Sequence, residues 1–124
     1  MSKKYSIAIV DDETEILNVL SRFLTRNSNF SVSTFSNPVS ALGSIEGGKF
    51  DLILLDIMMP QMNGLDVLEK IKAKNEDQKV IMMTAYSTLD KVLKSHKEGA
   101  TNYVMKPFDS LQLLEKKILE VLES

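Results

Sequence analysis

Three short apolar runs recur along the chain, and each stops abruptly at a polar residue. They are residues 7–10, 52–55 and 80–83, and the residues that follow them are Asp11, Asp56 and Thr84. Unbroken apolar runs of this length are typical of strands that are covered on both faces of a parallel sheet. Two mixed runs, residues 31–35 and 102–105, predict strands that are less buried.

Between these runs, apolar residues recur at spacings of three and four, which is the pattern of amphipathic helices. Five helices are predicted, with these apolar positions: Ile16, Val19, Leu20, Phe23 and Leu24; Val39, Leu42 and Ile45; Leu65, Leu68 and Ile71; Leu89, Val92 and Leu93; and Leu111, Leu114, Ile118, Val121 and Leu122. We expect these apolar side chains to face the core. The fourth helix is predicted over residues 88–97.

Strands that alternate with helices predict an α/β fold whose parallel strands are joined by right-handed crossovers. The three apolar strands belong in the centre of the sheet and the two mixed strands at its edges. The order 2-1-3-4-5 meets both conditions, so we expect a doubly wound, five-stranded, flavodoxin-like sheet with five helices. Its topological switch point lies between the first and third strands, where Asp11, Asp12 and Asp56 would converge.

Composition narrows the class of protein further. The 124 residues suit a single domain spanning 1–124, and the net charge of −2 without a basic block gives no support for direct nucleic-acid binding. The absence of cysteine excludes disulfides and thiolate metal sites. No apolar run is long enough to cross a bilayer, and the first residues do not resemble a signal peptide. We therefore expect a cytoplasmic protein that does not enter the membrane.

The polar residues at the strand ends suggest a specific chemistry. Carboxylates at Asp11, Asp12 and Asp56 would repel one another by about 4 kcal/mol per pair at 4 Å and an effective dielectric constant near 20. Raised pKa values or a bound cation must compensate, and an all-oxygen ligand set favours a hard ion such as Mg²⁺. The hydroxyl of Thr84 and the ammonium of Lys106 would hold phosphoryl oxygens. The pattern points to phosphoryl transfer onto a carboxylate.

Each of these residues also has a simpler interpretation when it is taken alone. Acidic residues at positions 11–13 are common at the start of a helix. Thr84 alone suits a capping hydroxyl, Lys106 a solvated lysine and Tyr103 a half-buried aromatic on an edge strand. The only histidine, His96, lies between lysines on a predicted helix and receives no role. The joint occurrence of these residues at strand ends favours a functional site.

Four motifs carry a resemblance to a known family. They are VDDE at 10–13, LLDIMMPQMNG at 54–64, MTAY at 83–86 and GATNYVMKPFD at 99–109. In this order, each at a strand end, they resemble the receiver domain of bacterial two-component response regulators, the family with the chemotaxis-regulator-like fold. The resemblance covers essentially the whole chain. Within it, the segments TAYS and NYVMKPFD are similar to those of receivers that are attached to an ATPase output domain.

The resemblance implies a role for each matching residue. Asp56 would be the phosphoacceptor, Thr84 and Lys106 would hold the phosphoryl oxygens, and Tyr103 would be the switch aromatic, acting together with Thr84. The implied Mg²⁺ ligands are Asp12 directly, Asp11 largely through water, Asp56, and the backbone carbonyl of Met58. The Lys106–Pro107 peptide bond is implied to be cis.

The resemblance also implies partners. A sensor histidine kinase or a phosphotransfer protein would donate the phosphoryl group to Asp56. Phosphorylation would then change the face formed by the fourth helix, fifth strand and fifth helix, which would control an output domain or partner protein, or pair with a second copy of the chain. The domain would catalyse only its own phosphorylation and dephosphorylation, so it would not be an enzyme in the usual sense.

Two other functions compete with this interpretation. A Mg²⁺-dependent aspartyl-phosphate phosphatase on a similar fold usually carries a second carboxylate two residues after its nucleophile, where this chain has Met58. A flavodoxin-type binding module requires a loop rich in Ser, Thr or Gly after the first strand. This chain has Asp-Asp-Glu there, which repels phosphate unless a metal ion intervenes.

Overall fold

Strands and helices alternate along the residues that the computed structural model describes, which are 4–47, 50–57, 59–85, 102–106 and 111–123. In chain order they are β1 Tyr5–Val10, α1 Thr14–Leu24, β2 Phe30–Phe35, α2 Pro38–Gly47, β3 Leu52–Asp56, α3 Gly64–Lys74, β4 Lys79–Ala85, β5 Asn102–Lys106 and α4 Leu111–Glu123. The helix predicted over 88–97 lies outside the described residues, so α4 is the helix that was predicted as the fifth.

All strand pairs within the described residues are parallel, and the sheet has the order β2-β1-β3-β4-β5. β1 pairs with β3 so that Val10 lies opposite Leu55, and β3 pairs with β4 so that Asp56 lies opposite Met83. The predicted flavodoxin-like α/β architecture with a parallel sheet is confirmed. The full set of five helices stays a prediction, because one of them lies in a part of the chain that the structure does not describe.

Alternate residues of the central strands face two separate core layers, because side chains of a strand point to opposite faces of the sheet. One layer contains Ile7, Ile9, Leu52, Leu54, Ile81 and Met83 and packs against α1 and α4. The other contains Ala8, Val10, Ile53, Leu55, Val80 and Met82 and packs against α2 and α3. Both faces of the sheet are therefore covered, which explains why these strands are apolar throughout.

Two residues that were predicted to face the core are exposed instead. Val19 keeps 48% of its surface accessible and Val39 keeps 59%. In α1 the buried residues are Leu17, Leu20 and Leu24, and a rotation of about 100° per residue carries Val19 away from that face. In α2, Pro38 and Ala41 are buried, and the helical rotation likewise turns Val39 outward. Apolar character alone does not determine which of the neighbouring positions on each helix is buried.

A buried glutamine fixes the turn between α3 and β4. The Gln78 amide nitrogen Nε2 donates hydrogen bonds to the carbonyl oxygens of Phe50, at 2.9 Å, and Lys79, at 3.3 Å. The Lys72 ammonium donates to the carbonyl of Gln78 and to that of Glu76. Burial lowers the pKa of Lys72, and the nearby carboxylates of Asp77 and Glu76 oppose that shift. The turn thus sets where β4 begins beside β3.

Replacing Gln78 by glutamate should make stability depend on pH. Gln78→Glu removes the amide donor and sets a carboxylate against two carbonyl oxygens, so we expect a loss of about 1–3 kcal/mol at pH 7. The folded state should raise the pKa of the new carboxyl above its unfolded value near 4.3, so the loss should shrink as the pH falls through the raised pKa. Urea unfolding between pH 4.5 and 8 measures this.

The matched control is Asn18→Asp, which likewise changes an amide to a carboxylate, at an exposed position on α1. Its free energy of unfolding should stay within about 0.5 kcal/mol of the unsubstituted chain across the same pH range. A Gln78→Glu protein whose loss of stability is the same at every pH would contradict the assigned hydrogen bonds.

Candidate functional site

Three carboxylates meet at the carboxyl ends of β1 and β3. Carboxylate oxygens of Asp11, Asp12 and Asp56 all lie within 4.8 Å of one another. The register explains their approach, because Val10 lies opposite Leu55 and the next residue of each strand is an aspartate. Asp11 is fully buried, Asp56 is 3% exposed and Asp12 is half-buried. The predicted convergence of these three residues at the switch point is therefore observed.

Backbone hydrogen bonds hold Asp11 at this position. Its amide donates to the carbonyl of Phe35 on β2 at 3.1 Å. One of its carboxylate oxygens, Oδ1, accepts from the amide of Glu13 at 2.9 Å, immediately before α1. The simpler interpretation of an acidic helix start is thus partly right, since Asp11 does stabilise the turn into α1. The same carboxylate also lies beside Asp56, so the two roles coexist.

The Asp56 segment is held from both sides. The amide of Ile57 donates to the carbonyl of Met83 on β4 at 3.1 Å, and the carbonyl of Ile57 accepts from the amide of Gly64 at 2.7 Å. Gly64 is the first residue of α3, so its hydrogen bond to Ile57 joins the two ends of the loop that follows Asp56. This closure ties the end of β3 both to β4 and to α3.

The first turn of α3 is satisfied within the loop. The side-chain oxygen of Asn63 accepts from the amide of Leu65 at 2.8 Å, and the Asn63 carbonyl accepts from Asp66 at 3.0 Å. These amides, and that of Gly64, are therefore occupied by loop oxygens. Sequence analysis gave Asn63 no role and took Gly64 only as the end of the motif at 54–64, although an asparagine before a helical apolar pattern is a recognised start signal.

The backbones of Thr84 and Lys106 lie at the same edge of the sheet. Thr84 directly follows Met83, the register partner of Asp56, and Lys106 lies opposite Ala85. Neighbouring strands are about 4.8 Å apart, so the β5 backbone is roughly 10 Å from β3. A lysine side chain spans much of that separation. The strand ends are thus brought together as predicted, while the roles of the Thr84 and Lys106 side chains stay predictions.

Other predicted features concern residues or side chains that the structure does not describe. Tyr103 lies on β5 with its backbone opposite Met82, and its proposed rotation stays a prediction. Met58 and Pro107 lie outside the described residues, as does the helix predicted over 88–97. The expected metal ligand at Met58 and the expected cis peptide bond therefore remain predictions.

The donor set fits a hard divalent cation. The cluster offers three carboxylates and neither imidazole nor thiolate, which is the chemistry that Mg²⁺ prefers. Carboxylates this close in a buried place repel strongly, and positive charge between them would remove that repulsion.

Among the residues that the structure describes, no helix has the length and apolar character that crossing a bilayer requires.

Comparison with curated proteins finds regulators of transcription. The chain is 37% identical over 113 residues to the transcriptional regulatory protein ZraR of Klebsiella oxytoca, covering 90% of this chain and 25% of ZraR. It is also 37% identical over 113 residues to the DNA-binding transcriptional regulator NtrC of Escherichia coli K12, covering 89% of this chain and 24% of NtrC. The chain therefore spans about a quarter of the length of these relatives.

Solved structures agree with the sequence comparison. The CheY-like response regulator receiver domain protein from Methanospirillum hungatei JF-1 superposes with a TM-score of 0.91 at 35% identity, covering 98% of this chain and 95% of that chain. The BeF3-activated DrrB receiver domain superposes with a TM-score of 0.87 at 31% identity, covering 98% and 99%. Both solved structures are similar to this chain in fold and in sequence.

The family profile of the response regulator receiver domain matches residues 7–118, a span that runs from β1 into α4 and includes all three clustered aspartates. The fold, the strand-end carboxylates and the relatives agree with that match. The chain belongs to the response regulator receiver domain family of two-component systems.

Proposed function

We propose that residues 1–124 form one receiver domain and that this domain acts as a switch operated by phosphorylation of Asp56. The helix over 88–97, the fourth of the five predicted from the sequence, would complete the domain. The observation that carries the proposal is the cluster of Asp11, Asp12 and Asp56 within 4.8 Å at the sheet edge. Asp56 ends a fully buried strand, and the other two carboxylates come from the adjacent strand end. Membership of the receiver family makes Asp56 the proposed acceptor.

Asp11, Asp12 and Asp56, with the backbone carbonyl of Met58, are the proposed ligands of Mg²⁺. When bound, Mg²⁺ would neutralise the carboxylates and withdraw charge from phosphoryl oxygens. The chain itself supplies orientation, because the Asp11 carboxylate is held by the Glu13 amide and the Asp56 segment by Met83 and Gly64. The first-turn amides of α3 are occupied within the loop, so Thr84 and Lys106 are the proposed donors to the phosphoryl oxygens.

The proposed reaction transfers a phosphoryl group to the Asp56 carboxylate. An Asp56 oxygen attacks phosphorus, a new P–O bond forms, and the P–N bond of a phosphohistidine donor breaks with its electron pair remaining on the imidazole. With acetyl phosphate, the broken bond is P–O and acetate leaves. Hydrolysis of the acyl phosphate later restores the carboxylate and releases phosphate. Asp56 thus forms a covalent intermediate, and no free metabolite is converted.

The proposed partners follow from the family. A sensor histidine kinase or phosphotransfer protein would donate the phosphoryl group, in the cytoplasm. The curated relatives ZraR and NtrC are transcriptional regulators about four times as long as the matched segment, so we propose an output domain or partner protein as the recipient of the signal. The segment 88–97, β5 and α4 would carry that contact, or pair with a second copy.

The proposed switch connects Thr84 with Tyr103. A phosphoryl oxygen on Asp56 would accept a hydrogen bond from the Thr84 hydroxyl and draw the following loop inward. Tyr103, whose backbone is on the neighbouring strand, would then rotate toward the vacated space. Phosphorylation shifts the population of two states only through its different interaction with each of them. The proposal therefore requires Thr84 to sense the phosphoryl group.

Removing the acceptor should abolish covalent labelling. Incubation with acetyl phosphate and Mg²⁺ should add one phosphoryl group, measured by intact mass, and chelation of Mg²⁺ should prevent it. Asp56→Asn should remove the labelling, because an amide is a poor nucleophile. The control is Asp51→Asn, immediately before the same strand, where the side chain accepts a hydrogen bond from the Ser6 amide and an amide oxygen can replace the carboxylate oxygen. Full labelling of Asp56→Asn would contradict the assignment.

Mg²⁺ should stabilise the folded chain through Asp12. Binding to the folded state alone adds RT ln(1 + [L]/Kd), which is about 2.7 kcal/mol at a hundredfold excess over Kd. Thermal unfolding with and without Mg²⁺ should show this shift in the unsubstituted chain and in Asp66→Ala, whose exposed carboxylate lies on α3. Asp12→Ala should lose most of the shift. Equal Mg²⁺-induced shifts in Asp12→Ala and Asp66→Ala would refute Asp12 as a ligand.

Thr84→Ala should separate phosphorylation from the response. Beryllofluoride bound at Asp56 mimics the phosphoryl group, and NMR chemical shifts then report which residues respond. We expect residues 88–97 and 103–116 to shift in the unsubstituted chain and to lose most of that response in Thr84→Ala, while Asp56 labelling persists. Thr34→Ala on the opposite edge strand should respond normally. Equal responses in the two variants would show that Thr84 does not transmit the signal.

A further inference from the structure

The first residue of α3 touches the backbone of the proposed phosphoacceptor. A Cβ atom built on Gly64 would lie 2.0 Å from the carbonyl oxygen of Asp56 and 2.7 Å from the Cα of Ile57. Both contacts are with backbone atoms, which cannot swing aside as a side chain can. Real Cβ atoms essentially never come closer than 3.0 Å to such atoms, so any other residue here requires a movement of roughly 1 Å.

Neighbouring contacts leave little freedom for that movement. The Ile57 amide donates to the Met83 carbonyl, and the Ile57 carbonyl accepts from the Gly64 amide. The residue after Asp56 is therefore bound to β4 on one side and to α3 on the other. Met59, two residues along the loop, is 7% exposed and belongs to the core layer beneath α3. α3 itself is fixed by five buried residues along its length. A displaced helix start would therefore move the Asp56 end of β3.

We propose that Gly64 is a positioning residue for phosphorylation of Asp56. The hydrogen atom in place of a side chain lets α3 pack directly on the Asp56 carbonyl, and that contact holds the Asp56 carboxylate at its distance from Asp11 and Asp12. The inference rests on the proposed function, since it assumes Asp56 as the acceptor. A reacting group displaced by about 1 Å can lose on the order of a hundredfold in rate.

A second glycine offers a matched control. Gly43 lies exposed within α2, and a Cβ atom there would meet nothing within 4 Å. Alanine in a helix interior is favoured over glycine, so Gly43→Ala should raise the melting temperature by a few degrees, roughly, without touching the site. The double variant Gly43→Ala/Gly64→Ala therefore recovers stability without restoring the contact at residue 64.

The second control weakens α3 while keeping Gly64. Asn63→Ala removes the side-chain oxygen that accepts from the Leu65 amide, so it should lower the melting temperature as the loss of a helix cap does. The labelling rate of this variant should stay within about threefold of the unsubstituted chain, because the glycine contact that the proposal relies on is intact. Comparison of Asn63→Ala with Gly64→Ala therefore distinguishes a general weakening of α3 from loss of the contact between Gly64 and Asp56.

The experiment measures the rate constant for acetyl phosphate labelling of Asp56 by intact mass. Saturating Mg²⁺ is used, at a temperature where circular dichroism shows every variant folded. We expect Gly43→Ala to react as the unsubstituted chain does, and Gly64→Ala to react about 10- to 100-fold more slowly. The double variant should remain as slow as Gly64→Ala, although its melting temperature is higher.

Three results would overturn the proposal. They are a Gly64→Ala rate within threefold of the unsubstituted chain, recovery of the rate in the double variant, and failure of the double variant to fold at 10 °C. Recovery would mean that stability limits the reaction, and failure to fold would mean that Gly64 serves the fold itself. An unsubstituted chain that is not labelled at Asp56 with Mg²⁺ would instead refute the proposed function, so the two failures are distinguishable.

Discussion

The pairing of β1 with β3 is the constraint on which the site depends. Parallel strands that share a register end at the same edge, and Val10 opposite Leu55 forces the next residues, Asp11 and Asp56, to be neighbours. Because these strands are apolar on both faces, their register depends on how the side chains fill the two core layers. A slip of one residue would exchange the side chains that pack against α1 and α4 with those that pack against α2 and α3. Burial of apolar surface thus stabilises an arrangement of charges that is unfavourable by itself.

That arrangement explains why the domain can act as a switch. Carboxylates whose oxygens lie within 4.8 Å of one another repel, and a bound cation would relieve that repulsion, so the three aspartates could hold a metal ion. Oxygen ligands alone favour Mg²⁺ over softer metals. Because the α3 amides are occupied within the loop, charge compensation for a phosphoryl group would depend on the cation and on donors from the other strand ends.

The loop after Asp56 shows how the fold limits movement at the proposed phosphoacceptor. Hydrogen bonds from Ile57 to β4 and from Gly64 to Ile57 close the loop, and the absence of a side chain at Gly64 permits the close approach. The neighbouring strand end that carries Thr84 pairs with β5, so a change there can reach the face that includes Tyr103. A conformational switch requires a held site beside an element with two arrangements, and the hydrogen bonds around Ile57 would supply the first of these for the proposed acceptor.

The sequence by itself determined the class of fold, the strand order and the three clustered aspartates, because unbroken apolar runs and the residues that end them are local signals. Tertiary structure decided which side of each helix is buried: Val19 and Val39 are apolar yet exposed, since the sheet selects one face of the helix. The close approach of Gly64 to Asp56 also depends on tertiary structure, because contact between a helix start and a strand end eight residues earlier requires the loop between them to close. The spacing of apolar residues along the chain predicts where helices and strands form. Close approach between the backbones of two such elements arises only when they pack against each other.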